Sequence, residues 1–180
     1  MIKNKFFLYA SAFFSGMSVM AIELGASRLL APYFSSSQIV WTVIIGTIMI
    51  AMAIGNVYGG RAADKNGRAA DKNPNPAVMY RRLLGVAVWT AMIPFLGKYL
   101  IAAIAVGLAV VVKSNFLIWA SFAACIVLFV YPLMMLGTVT PSLMKYATNS
   151  LDDNGKTVGE LEALGTIGSI IGTFLPTFVT

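Results

Sequence analysis

The chain has 180 residues, of which 58% are hydrophobic and only 11% charged, with a mean hydropathy of +0.81. A soluble domain carries roughly a quarter charged residues, so a water-soluble globule is excluded, and so much apolar side chain also excludes a disordered segment. One cysteine, Cys125, forbids an internal disulfide framework, and the absence of histidine removes the commonest metal ligand and general base.

A bilayer core about 30 Å thick needs about 20 mostly apolar residues per helix. The first such run covers about residues 6–31, holds Glu23 and Arg28, and is expected to end at Pro32 and the polar stretch Ser35-Ser36-Ser37-Gln38. The second covers 39–58 and closes at Gly59-Gly60. A polar segment from Arg61 to Pro76 follows. The next apolar stretch, Leu83 to Val112, would make one helix of about 45 Å. That is long for a single span, so the reading divides it at Gly97-Lys98 into helices over 79–96 and 99–112. A fifth span covers 116–136, and a last one covers 159–180. Pro132, Pro141 and Pro176 are read as kinks or helix ends. The prediction is an all-α membrane domain of six helices over residues 1–180.

Net charge is +6, and its distribution argues for membrane orientation rather than nucleic acid, since the bases do not interleave with exposed aromatics. With the N-terminus inside, Lys3, Lys5, Arg61, Lys65, Arg68, Lys72, Arg81, Arg82 and Lys113 fall on the cytoplasmic side. Lys98, Lys145 and Lys156 fall outside. Both termini are then cytoplasmic, and a bacterial inner membrane is the expected location. Lys3-Asn4-Lys5 before an apolar run also has the form of a signal peptide, but the run outlasts an ordinary h-region. The apolar run is still open at Thr180. Either the protein ends flush with the membrane or the sequence belongs to a longer chain.

Charged residues at membrane depth mark sites or structural pairs. Glu23 lies two-thirds through the first helix and is expected to point into the bundle. Arg28 lies near its outer end, level in the six-helix topology with the start of the last helix, where Glu160 and Glu162 sit. A contact between Arg28 and Glu160 or Glu162 is therefore expected, either as a structural ion pair or as part of a cation-binding or proton-coupling site. Gly165, Gly168 and Gly172 recur at three- and four-residue spacing, a small-residue packing face. Gly16, Gly25, Gly46 and Gly55 are further candidates for close helix approach. No cofactor or metal is expected.

Gly60-Arg-Ala-Ala-Asp64-Lys65-Asn-Gly67-Arg68 has the spacing G-x-x-x-D-K-x-G-R at the junction of the second and third helices. It resembles the signature loop of the major facilitator superfamily at that junction. Gly60 would allow close approach, Asp64 would accept hydrogen bonds from a helix N-terminus, and Arg68 would supply a paired charge. The heptad GRAADKN repeats at once as residues 67–73, a local duplication in which Asp64 rather than Asp71 is read as the motif aspartate.

Four separated segments carry a wider resemblance. They are Glu23-Leu-Gly-Ala-Ser-Arg28-Leu-Leu-Ala-Pro32-Tyr33-Phe34 with Trp41, Gly55-Asn-Val-Tyr-Gly59-Gly60-Arg61-Ala-Ala-Asp64, Leu136-Gly137-Thr-Val-Thr-Pro141, and Gly159 through Pro176. Together they resemble the membrane domain of spermidine-synthase-like proteins, described as fused major-facilitator/spermidine-synthase proteins. Ser35 stands where that family usually has Gly, and the duplicated heptad is extra. Relatives usually continue into a soluble aminopropyltransferase domain, which needs a Gly-rich turn and an acidic residue. These 180 residues supply neither, so an enzyme is not expected.

The resemblance implies a half-major-facilitator-like, transporter-like module handling a polyamine or another small cation. Glu23, Glu160 and Glu162 would face the cation, with Tyr33, Phe34 and Trp41 available for cation–π contact. Six helices are half of a twelve-helix facilitator, so alternating access implies a homodimer or a partner half. The alternative is a non-catalytic anchor or accessory subunit of a larger membrane complex, or of a separate cytoplasmic synthase-like partner.

Overall fold

A computed structural model describes residues 5–34, 37–68, 77–111, 116–147 and 154–179, and every element in it is helical. The first three are α1 (Lys5–Phe34), α2 (Gln38–Arg68) and α3 (Ala77–Val111). A fourth, broken run consists of α4 (Phe116–Cys125), a π-helical segment (Ile126–Val130), α5 (Tyr131–Gly137) and α6 (Val139–Ala147). α7 (Asn154–Val179) is last. Five helical runs are long and apolar enough to cross a membrane: α1, α2, α3, the run from α4 to α6, and α7.

Three expectations change. The apolar stretch divided at Gly97-Lys98 is one helix, α3, with Pro94 inside it. Its length is not exceptional here, because its 35 residues sit beside helices of 30 and 31 residues. Long helices overrun the hydrocarbon thickness by tilting or extending past it. α2 does not close at Gly59-Gly60 but runs on to Arg68, so the segment expected as a signature loop is helical. α1 also passes through Pro32 before ending at Phe34. A proline in the last turn removes only one late backbone hydrogen bond.

The count of five changes the polarity of α7. It runs parallel to α1, because Tyr9 meets Glu160, Gly16 meets Gly165, Met17 meets Gly172 and Arg28 meets Pro176, both chains rising together. α1 and α7 form the most extensive helix pair in the molecule. Their seam is made of backbone. A Cβ at Gly168 would lie 2.0 Å from the Phe13 carbonyl oxygen, one at Gly16 2.1 Å from that of Gly165, and one at Gly172 2.2 Å from that of Met17. Even alanine has no room at these positions unless a helix moves. The second close crossing joins α2 to α5, where Gly55 faces the Met134 carbonyl and Gly59 faces Thr138. By contrast, Gly25, Gly46 and Gly60 have open space where a Cβ would go, so they make no close approach.

Three side-chain contacts gather the ends of four helices, α1, α2, α3 and α6, at one end of the bundle. Lys145 of α6 pairs with Asp64 of α2 at 3.4 Å, the Arg82 guanidinium lies 5.3 Å from the Tyr58 ring centre, and Phe7 packs edge-on against Tyr80 at 5.1 Å. The six-helix topology had set Lys145 and Asp64 on opposite faces. Among the described residues Arg61, Arg81, Arg82, Lys145 and Lys156 all lie toward this end, whereas Arg28 and Lys98 lie in the other half. Leu8, Met79, Val139, Leu143 and Leu161 form a small apolar core behind the basic end. The larger core, with Leu30, Phe34, Ile44, Ile48, Ile101, Leu128 and Leu133 among its members, fills the rest. Lys3, Asp71, Lys72, Lys113, Asp152 and Asp153 lie outside the described residues.

Pro132 explains the break in the fourth run. It has no N–H to donate to the Leu128 carbonyl four residues back, and its ring would crowd that carbonyl in a regular α-helix. The chain widens into the π-helical segment just before it. The indole N–H of Trp89, from α3, donates to the Leu128 oxygen at 3.0 Å, and the Trp89 ring packs on Tyr131 at 5.4 Å. Trp89→Phe should therefore destabilise the wild type by about 1–2 kcal/mol, by leaving a buried carbonyl without a donor. The hydrogen-bond component should shrink in a Pro132→Ala background, where residue 132 has its own N–H. Unfolding measured for the four proteins of this double-mutant cycle checks it, and additive effects would contradict the account.

Candidate functional site

α7 carries the acidic residues and α1 the groups that meet them. Seven residues into α7, Glu160 accepts a hydrogen bond from the Tyr9 hydroxyl at 2.5 Å. A phenol donating to a carboxylate is a charge-assisted bond, shorter and stronger than a neutral one. Glu162 lies on another side of α7. It lines a cleft of about 180 Å³ bounded by α1, α2, α5, α6 and α7. Ser15 of α1, Thr140 of α6, and Thr166 and Ser169 of α7 contribute hydroxyls to the same cleft.

The hydroxyl protons of the α7 residues are already used. Thr166 donates to the Glu162 carbonyl at 2.9 Å, while Ser169 donates to the carbonyls of Gly165 at 3.0 Å and Gly16 at 3.2 Å. A hydroxyl whose proton is engaged still offers oxygen lone pairs. With the Glu162 carboxylate, these groups make a surface rich in acceptors, suited to the N–H donors of an ammonium group. The volume equals that of about six waters at about 30 Å³ each, enough for the head of an alkylammonium ion. Among the described residues no three of His, Cys, Asp and Glu converge as a metal set.

The expected contact of Arg28 with Glu160 or Glu162 is not formed. Tyr9 marks the level of Glu160 on α1, and Arg28 lies 19 residues further, about 28 Å along the helix axis. The expectation assumed that α7 runs antiparallel to α1, and the parallel pairing reverses which end of α7 Arg28 meets. Its guanidinium donates to the Pro176 carbonyl at 2.5 Å, in the last turn of α7. The last four carbonyls of a helix lack intrahelical donors and carry the negative end of the dipole. Arg28 is therefore a C-terminal cap of α7.

The other expected site residues are dispersed. Glu23 is half-buried on α1, about 21 Å along the axis from Tyr9, and lines neither the acidic cleft nor the groove between α1 and α3. Phe34 is 1% exposed and belongs to the main core, while Tyr33, at the end of α1, and Trp41, in the first turn of α2, are exposed. The end of α1 is remote from Glu160, so the aromatic trio and the acidic pair do not share a site. Gly60, Asp64, Lys65, Gly67 and Arg68 form the last turns of α2, where Asp64 is bound to Lys145. Gly165, Gly168 and Gly172 lie on the α1 seam.

Sequence reasoning missed Tyr9 and the hydroxyl set of the cleft. Serines and threonines in apolar helices usually bond back to their own helix, so nothing local distinguishes Ser15, Thr140, Thr166 and Ser169. No family model, curated protein or solved structure matches the chain.

The geometry predicts which pairs of residues are energetically coupled. Tyr9→Phe and Glu160→Gln should couple by about 1 kcal/mol in unfolding measurements, within the range for polar contacts between membrane helices. Arg28→Gln and Glu160→Gln should add to within about 0.5 kcal/mol, as distant sites do. Coupling of the second pair with additivity of the first would contradict the parallel register.

Proposed function

We propose that the chain is an integral membrane module, transporter-like in character, that binds an organic cation carrying a primary ammonium group at the Glu162 cleft. The observation that carries this reading is the meeting of one carboxylate with four hydroxyls between apolar helices. Glu162 is exposed at the edge of this cleft, where a cationic ligand can reach its carboxylate and the neighbouring hydroxyl oxygens. The resemblance of segments such as Glu23–Phe34 and Gly159–Pro176 to the membrane domain of spermidine-synthase-like proteins, read from the residues alone, supports a polyamine as the proposed substrate class. The basic end of the bundle is taken as cytoplasmic, since Arg61, Arg81, Arg82, Lys145 and Lys156 gather there and Lys3, Lys5 and Lys72 neighbour them in sequence. With the basic end cytoplasmic, the far end of α7 is proposed to lie on the opposite side, in place of the cytoplasmic C-terminus expected from six helices. A bacterial inner membrane is the proposed location. Nothing in the cleft suggests group transfer, so the module is proposed to bind and pass its ligand rather than to catalyse a reaction.

A second reading is an accessory or anchoring subunit of a larger membrane assembly. It is supported by α3 and α7, whose apolar crossings are only 11% and 17% buried and so leave wide faces for a partner or a second copy.

Binding of radiolabelled spermidine to the protein in proteoliposomes separates the two. Loss of one charge-assisted bond should make Glu162→Gln bind about tenfold or more weakly. Glu23→Gln, which lies outside the cleft, should change affinity by less than about twofold. Absence of saturable binding by the wild type, together with stoichiometric co-purification of another membrane chain, would favour the accessory subunit.

A further inference from the structure

Serines and threonines inside apolar helices ordinarily return their protons to a carbonyl one turn back. α1 follows this pattern at Ser11, which donates to the Phe7 carbonyl at 2.8 Å, at Ser18, which donates to Phe14 at 2.7 Å, and at Ser27, which donates to Leu24 at 2.8 Å. Ser15 does not. The residue is only 8% exposed, yet its hydroxyl makes no hydrogen bond among the described residues and lines the Glu162 cleft. The hydroxyls closed off without a partner, those of Tyr80 and Thr90, lie elsewhere.

Two other acceptors in the cleft are equally uncommitted. The Thr140 hydroxyl is on an exposed residue and makes no hydrogen bond among the described residues, although Ser142, also on α6, donates to the Thr138 carbonyl at 2.7 Å. The Glu162 carboxylate likewise takes part in no hydrogen bond or ion pair among the described residues. These three groups stand on three helices, α1, α6 and α7. Gly165 lies beside Ala12 and Gly16 of α1, and Glu162 is three residues, about 4.5 Å, before Gly165. Ser15 and Glu162 therefore meet the cleft within about one turn of each other, Ser15 on its buried side and Glu162 at its edge.

We propose that Ser15 makes the cleft selective for a primary ammonium group, by accepting one of its three N–H bonds while Glu162 and Thr140 accept the other two. The proposal rests on the reading of this cleft as a cation site and adds which cation it prefers. An ammonium nitrogen carrying two extra methyl groups keeps a single N–H. The carboxylate takes that proton, because a bond between two charged groups is the strongest on offer, and nothing is left for Ser15. A primary ammonium has N–H bonds to spare, and one left without an acceptor against the buried wall costs binding. Ser15 thus contributes to the first ligand and not to the second.

The test is competition against radiolabelled spermidine in proteoliposomes, with putrescine and tetramethylputrescine, methylated twice on each nitrogen, as the competitors. Ser15→Ala removes only the hydroxyl, and alanine is the better helix former. The variant should bind putrescine about five- to tenfold more weakly and tetramethylputrescine less than about twofold more weakly, so that the preference for the primary amine narrows. If Ser15→Ala does not fold, Ser15→Cys, whose thiol is a weak acceptor, is held to the same expectation. An equal loss for both amines would make Ser15 a packing residue and overturn the proposal, as would an unaltered affinity for putrescine. A wild type that binds neither amine would overturn the cation site itself, and this proposal with it.

Discussion

Two helix backbones reach direct contact only where no Cβ stands between them, and α1 meets α7 at such positions. Gly16, Gly168 and Gly172 each leave a gap that a neighbouring carbonyl fills. Such close contact maximises dispersion and brings polar backbone atoms within reach of side chains from the other helix. Ser169 takes that opportunity by donating to the Gly16 carbonyl across the seam. Once the seam is fixed, its register sets what lies at either end: Tyr9 against Glu160 below, and Arg28 against the last turn of α7 above. The cleft beside Glu162 follows, because Ala12, Ser15 and Gly16 are the α1 residues at that level.

The same economy of polar atoms shapes the fourth helical run. A proline in an apolar helix leaves a carbonyl without its donor, and the protein supplies one from the side. Trp89 from α3 serves Leu128, and the π-helical turn makes room for the Pro132 ring. This lateral bond ties α3, otherwise the least covered helix, to the interior. α3 stands away from α1 between Tyr80 and Gly97, and that separation leaves a groove with mostly apolar walls.

Much of this was legible in the sequence. The apolar runs marked every crossing, and the three- and four-residue spacing of Gly165, Gly168 and Gly172 marked a packing face. The partner of that face and its direction were not legible. Dividing α3 at Gly97-Lys98 added a crossing, and one added crossing reverses every later helix. Arg28 was consequently matched with the wrong end of α7, and Lys145 was separated from Asp64. The length criterion failed because these helices all overrun the usual span, so 35 residues in one helix is ordinary here. Gly59 and Gly60 read alike in sequence, yet only Gly59 faces a backbone, because the α2 face turned to Thr138 is set by tertiary packing. The Glu162 cleft draws residues from five helices, and no local pattern encodes that meeting.

Parallel α1 and α7, and hence five crossings, is the claim on which the cleft, the capping role of Arg28 and the basic end all rest. Single cysteines at Arg61, Gly155 and Gln38, each in a Cys125→Ala background, test it by labelling with an impermeant thiol reagent in sealed vesicles of known orientation. Arg61→Cys and Gly155→Cys should label from the same side, and Gln38→Cys from the opposite one. Labelling of Arg61→Cys and Gly155→Cys from opposite sides would restore a sixth crossing and contradict the parallel pair.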